Sequence, residues 1–143
     1  MKKLLLLLAF FSFVQFAAPP KEGIKGQVFW VSGDQMPGPG KSVSPQLGVV
    51  RDILIFKKLT VGDVNQNGQF IDVKDAEPVT TVRSNSDGTF KAKLPPGDYS
   101  VFTREPAGLF ANIIDHDGCV NCITVKPKSF AWMSITIDYE ASY

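Results

Sequence analysis

Histidine occurs once in this 143-residue chain and cysteine twice, and all three fall within "DHDGCVNC", Asp115 to Cys122. That scarcity excludes a good deal. Zinc peptidases gather two histidines and a glutamate around one ion, and His116 has no second histidine to join it. No G-x-S-x-G elbow is present, and no glycine-rich phosphate loop follows a strand. An excess of one charge is missing too: 15 basic residues face 14 acidic ones. A balance of this kind gives no overall electrostatic footprint for nucleic acid or an anionic membrane.

Long apolar runs are absent except at the start. "MKKLLLLLAFFSFVQFAAPP" sets two lysines before an apolar run from Leu4 to Val14, then Gln15 and small residues at Ala17 and Ala18. This layout predicts a secretory signal peptide over residues 1–18. The run is shorter than the roughly 20 residues that span a bilayer. No cysteine follows it to carry a lipid, so the expected location is secreted or periplasmic, without a lipid anchor. Loss of the leader takes Lys2 and Lys3 and leaves 13 basic against 14 acidic residues in a 125-residue domain, 19–143. A domain of that size buries roughly two thirds of its surface without a metal or a disulfide framework. It retains no integral membrane segment.

What remains is strand and turn. "TFKAKL" alternates Phe90, Ala92 and Leu94 against Thr89, Lys91 and Lys93, and "MSITIDY" alternates Met133, Ile135, Ile137 and Tyr139 against Ser134, Thr136 and Asp138. "GIKGQVFWV" places Ile24, Val28 and Trp30 on one face, while "RDILIFKKL" is apolar on both parities, as a strand covered on both sides would be. "PVTTVRS", "DYSVFTR" and "CITVKP" add further strands. "NQNG", "NSDG", "LPPGD", "EPAG" and "DHDG" supply the glycine, proline and Asn/Asp of turns. Only "LFANIID" has any helical character, and it is short. The pattern predicts an all-β sandwich of about seven strands.

"SNSDGTFKAKLPPGDYSVF" with "TREPAGLFAN", flanked by "GIKGQVFWVSGDQMPGPGK" and "WMSITIDYEASY", resembles the carboxypeptidase regulatory-like domains over roughly Gly23 to Tyr143. The resemblance implies a single Greek-key, prealbumin-like sandwich, in which "LPPG" forms a proline-stiffened hairpin turn. It also implies an accessory, folding or binding role rather than catalysis. Transthyretin-like hydrolases share that fold but use several histidines, and "YEASY" is only a superficial echo of their C-terminal motif. A Lys–Asn crosslink of the pilin kind would pair Lys25 with an asparagine on the last strand, and "SITIDYEASY" has none.

Two segments suggest local chemistry. Asp63, Asn65 and Asn67 at alternate positions before Gly68 match the first half of an EF-hand-type calcium loop, with Asp72 available to complete it. Lys74 stands where the bidentate glutamate belongs, and a plain "NG" hairpin turn explains the same residues. In "DHDGCVNC", four tetrahedral ligands are countable from Cys119, Cys122, His116 and Asp115 or Asp117. An oxidising compartment and a turn that brings the two Cα atoms within about 7 Å favour a Cys119–Cys122 disulfide instead. Free thiols come next, and zinc last.

Of the aromatic residues Phe29, Trp30, Phe56, Phe90, Tyr99, Phe102, Phe110, Phe130 and Trp132, most belong in a core. Trp132, on the polar parity of the last strand, is the ring expected in solvent. The sequence therefore predicts a non-catalytic exported module that binds an envelope or secreted protein through its loops or an exposed sheet edge. A carbohydrate-binding module is the alternative, and a row of exposed aromatics would favour it. A small hydrolase would need His116 and Asp115 or Asp117 to meet Ser142 or Tyr143 in a cleft. No cofactor is expected beyond the calcium reading.

Overall fold

The computed structural model describes residues 21–42 and 45–143; the signal peptide expected at residues 1–18 lies outside them. The described residues form eleven strands and no helix: β1 (Gly23–Asp34), β2 (Leu47–Gly48), β3 (Asp52–Lys57), β4 (Asn65–Asn67), β5 (Phe70–Asp72), β6 (Thr80–Arg83), β7 (Thr89–Lys93), β8 (Gly97–Glu105), β9 (Gly108–Phe110), β10 (Cys122–Val125) and β11 (Phe130–Ser142). Among them no helix is long and apolar enough to cross a membrane.

Two packed sheets make an all-β sandwich. In the first sheet β1 is central, with β11 parallel to it on one side and β2 and β7 antiparallel on the other. The second sheet runs β4-β5-β9-β8-β3-β6, with β10 also paired to β8. The expected seven strands become eleven because β2, β4, β5 and β9 are two or three residues long. That is too short for an alternation to register.

Between the sheets lie Ile24, Val28, Phe90, Ala92, Ile135 and Ile137 from the first and Ile53, Ile55, Tyr99, Val101, Phe110 and Val125 from the second, all buried. The opposite parity of β3 and β8 is buried as well. Leu54, Phe56 and Phe102 pack beneath Leu59, Val64, Ala111 and Val120 from the connecting loops. The second sheet is therefore covered on both faces, and this is why Ile53 to Phe56 are apolar without interruption. Each such side chain contributes about 1.5–3 kcal/mol by leaving water.

The "LPPGDY" motif is not a hairpin. β7 belongs to the first sheet and β8 to the second, so Pro95 and Pro96 carry the chain across the sandwich at a corner. Two prolines offer no N–H to a ladder, and Phe90 and Leu94 share a core with Tyr99 and Val101. The Tyr99 hydroxyl donates to the Pro95 carbonyl at 2.6 Å and fixes that corner. Burial raises the pKa of this phenol.

Candidate functional site

Cys119 and Cys122 are joined in a disulfide across a Cα separation of 5.8 Å. Turn chemistry builds the loop that presents them. Asp115 Oδ1 accepts the N–H groups of Asp117 and Cys119, each at 2.9 Å, and the Gly118 N–H bonds the Asp115 carbonyl. Asn121 holds φ at 45°, a conformation that asparagine tolerates better than most residues. Its buried amide repays that conformation by accepting from the Ile113 N–H and donating to the Val101 carbonyl. A small polar cleft beside the bridge is lined by Lys58, Asp98, Asp115, Asp117, Cys119, Cys122 and Thr124. Sulfur and carboxylate atoms of Asp115, Cys119 and Cys122 lie within 4.8 Å of one another, but the disulfide engages both sulfurs. The His116 side chain is 91% exposed, with Asp117 Oδ1 at 3.4 Å. Neither His116, Ser142 nor Tyr143 lines the cleft. The Tyr143 hydroxyl instead donates to Asp138.

Within Asp63 to Asp72, Asn65 to Asp72 forms a hairpin instead of curling around a centre. Asn65 pairs with Asp72 and Asn67 with Phe70 across β4 and β5. Gly68, at φ 62°, is the first of two loop residues, as a type II′ turn requires. The glycine thus leads the turn, with Gln69 second, where "NG" would have made Asn67 and Gly68 the central pair. Asp63 lies before the hairpin, and its Oδ2 accepts both the backbone N–H and the hydroxyl of Thr60, at 2.8 and 2.9 Å. Those bonds hold its carboxyl below the usual pKa. The Asp72 carboxylate caps the Lys74 N–H, and Lys74 Nζ reaches the Gly62 carbonyl. Beside the hairpin runs a groove of about 530 Å³, walled by Asn65, Asn67, Phe70, Val73, Arg104 and Leu109, with Glu105 at its inner side.

Sequence reasoning passed over Glu105. The last residue of β8, it faces inward with its side chain 1% exposed, and Arg51 Nε donates to Oε1 at 2.9 Å. The Tyr139 hydroxyl donates to Oε2 at 3.0 Å. Trp30, Phe70 and Phe110 surround Tyr139 with ring centroids 5.0–6.0 Å away. Burial, and then the bond to Glu105, push the Tyr139 phenol above its usual pKa. These groups satisfy one another and close one end of the sandwich.

The outer face of the first sheet is bare where that of the second is covered. Register sets its side chains in rows across three strands: Lys91, Lys25 and Trp132, then Lys93, Gly23 and Phe130, then Thr89, Gln27 and Ser134. Trp132 is 58% exposed, as its parity predicted, and Lys91 Nζ sits over the Phe130 ring at 4.4 Å. Lys25 points outward in this row, away from the interior that a crosslink would occupy. Phe29 lies half-buried on the same face, whereas Phe56, Phe90, Tyr99, Phe102 and Phe110 are core. No protein-family model, curated protein or solved structure matches this chain.

Proposed function

We propose that the chain is an exported, non-catalytic β-sandwich module that binds another envelope or secreted protein through the free side of β11. One observation carries the reading: β11 is thirteen residues long and, among the described residues, pairs only with β1. A long unpaired edge is a template for an added strand. Among the described residues two hydrogen bonds reach its backbone from outside the paired strands: Asn112 Nδ2 donates to the Thr136 carbonyl at 3.2 Å, and at the far end the Gln35 N–H donates to the Ser142 carbonyl at 2.7 Å. The resemblance to carboxypeptidase regulatory-like domains, with their Greek-key, prealbumin-like fold, supports an accessory role over an enzymatic one. So do the places of His116, in solvent beside Asp117, and of the Tyr143 hydroxyl, on Asp138.

The test places a photo-reactive residue at Ser134 of the exported protein in intact cells, with Asn85 in the β6–β7 turn as control. A discrete adduct at Ser134, lost when the same probe sits at Asn85, supports the edge. Adducts at Asn85 alone contradict it. The carbohydrate reading has its own support in the exposed ring of Trp132, and this leads to the outer face of the same sheet.

A further inference from the structure

The geometry points to the outer face of the first sheet as a platform for an acidic polysaccharide, a polymer of uronic-acid type. This surface is made by side chains of β1, β7 and β11, whereas the edge is made by the β11 backbone on the side away from β1. Adjacent strands lie about 4.8 Å apart, so the row Lys91–Lys25–Trp132 places the backbone positions of two lysines and a tryptophan within roughly 10 Å across the strands. One step along, Phe130 lies half-buried beside Lys93 on the same side of β11 as Trp132, with the Lys91 ammonium over its ring.

The three segments forming the face, Gly23–Phe29, Thr89–Lys93 and Phe130–Thr136, contain no acidic residue. Exposed Lys21 precedes β1, and exposed Lys126 and Lys128 lie in the loop leading into β11. Glu22 meets that loop through the Lys128 N–H, at 3.4 Å. Six of the ten lysines among the described residues therefore gather at one end of the first sheet, whose other end carries Asp34, Asp138 and Glu140, in a chain whose overall charge is balanced. Segregation of this kind creates a local field that net charge conceals.

The shape and chemistry of the face select the ligand. The clefts at the hairpin and the disulfide are lined by other residues, and Lys25, Lys91, Lys93 and Trp132 are exposed side by side, so the face is open to an extended chain. A pyranose ring presents an apolar C–H face that packs on an indole, while its equatorial carboxylate projects sideways toward the lysines. The face carries lysine but no arginine, so it offers spaced point charges rather than forks. A single-stranded nucleic acid stacks successive bases on successive rings, whereas on this face Trp132 alone stands in solvent and the Lys91 ammonium covers the Phe130 ring.

The experiment is affinity electrophoresis of the exported protein in gels containing polygalacturonate, its fully methyl-esterified form, neutral dextran or single-stranded DNA, with anionic phosphatidylglycerol vesicles tested by sedimentation. Retardation by polygalacturonate alone, weakened by added salt, is the expected result. Trp132→Ala should weaken binding about tenfold, the scale of one lost stacking contact, with Trp132→Tyr restoring most of it. Lys25→Gln/Lys91→Gln/Lys93→Gln should abolish it with a melting temperature within a few degrees of the parent's, since only the Lys91–Phe130 contact is lost, and the Trp132 variants should keep the parent value. No retardation, equal retardation by the esterified polymer, stronger binding to DNA or vesicles, or indifference to Trp132→Ala would each overturn the proposal. The Ser134 adducts should persist in Trp132→Ala, which separates this failure from a failure of the edge.

Discussion

Arg51 and Glu105 form an ion pair with Nε to Oε1 at 2.9 Å, the carboxylate buried and the guanidinium partly open to solvent. The guanidinium carbon also stands 5.6 Å from the centre of the Trp30 ring. Removing one member of a buried pair strands the other, which costs more than the pair itself contributes. Solvent access at Arg51 lowers that penalty, so Glu105→Gln should lose about 2 kcal/mol in urea unfolding, and Tyr139→Phe about 1 kcal/mol. Photo-crosslinking at Ser134 should be unchanged in both variants at temperatures where they remain folded. Loss of the adducts without loss of stability would assign Glu105 a binding role instead.

The disulfide should be dispensable. It closes a loop of only four residues, and the loop-closure argument gives about 2 kcal/mol or less for so short a ring. A Cys119→Ser/Cys122→Ser variant should fold, with a small drop in unfolding midpoint, and thiol labelling of the unreduced parent should be blank. Labelling before reduction would contradict the bridge.

Calcium should bind the Asp63–Asp72 hairpin weakly or not at all. The Asp63 carboxylate is engaged by Thr60, and the Lys74 ammonium already reaches the Gly62 carbonyl beside it. Calorimetry should show no micromolar affinity. Tight binding abolished by Asp63→Ala would promote the hairpin to a metal site.

Local alternation made much of this fold legible. Ile53 to Phe56 announced a strand covered on both sides, and the parity of β11 put Trp132 in solvent. What local pattern could not supply was sheet membership. "LPPGDY" reads as a hairpin from its turn residues, yet the core partners of Phe90 and Tyr99 make it a corner between sheets. Glu105 reads as part of a polar turn because Arg51 and Tyr139, 54 and 34 positions away, are what bury it. The lysine and aromatic rows were likewise hidden, since they exist only through the pairing of β1 with β7 on one side and with β11 on the other.

Acid should loosen the turn between β6 and β7. The Thr89 hydroxyl, then its backbone N–H, donate to Asp87 and hold its carboxyl below the ordinary value of 3.8. A depressed folded pKa means that this contribution is complete above pH 3.8 and disappears as pH falls through the lower folded value. Asp87→Asn should therefore flatten the acid limb of a melting-temperature profile recorded between about pH 5 and pH 2. An unchanged limb would mean that these bonds contribute nothing to stability.

The central claim is that β11 offers its free side to a partner strand, and amide hydrogen exchange tests it most directly. The protein is measured alone and then in the complex captured at Ser134, residue by residue from Phe130 to Tyr143. Strand addition predicts new protection at alternate amides of β11, with the β1 amides unchanged. Protection gained in the Asp115–Cys122 loop, with none along β11, would contradict the account.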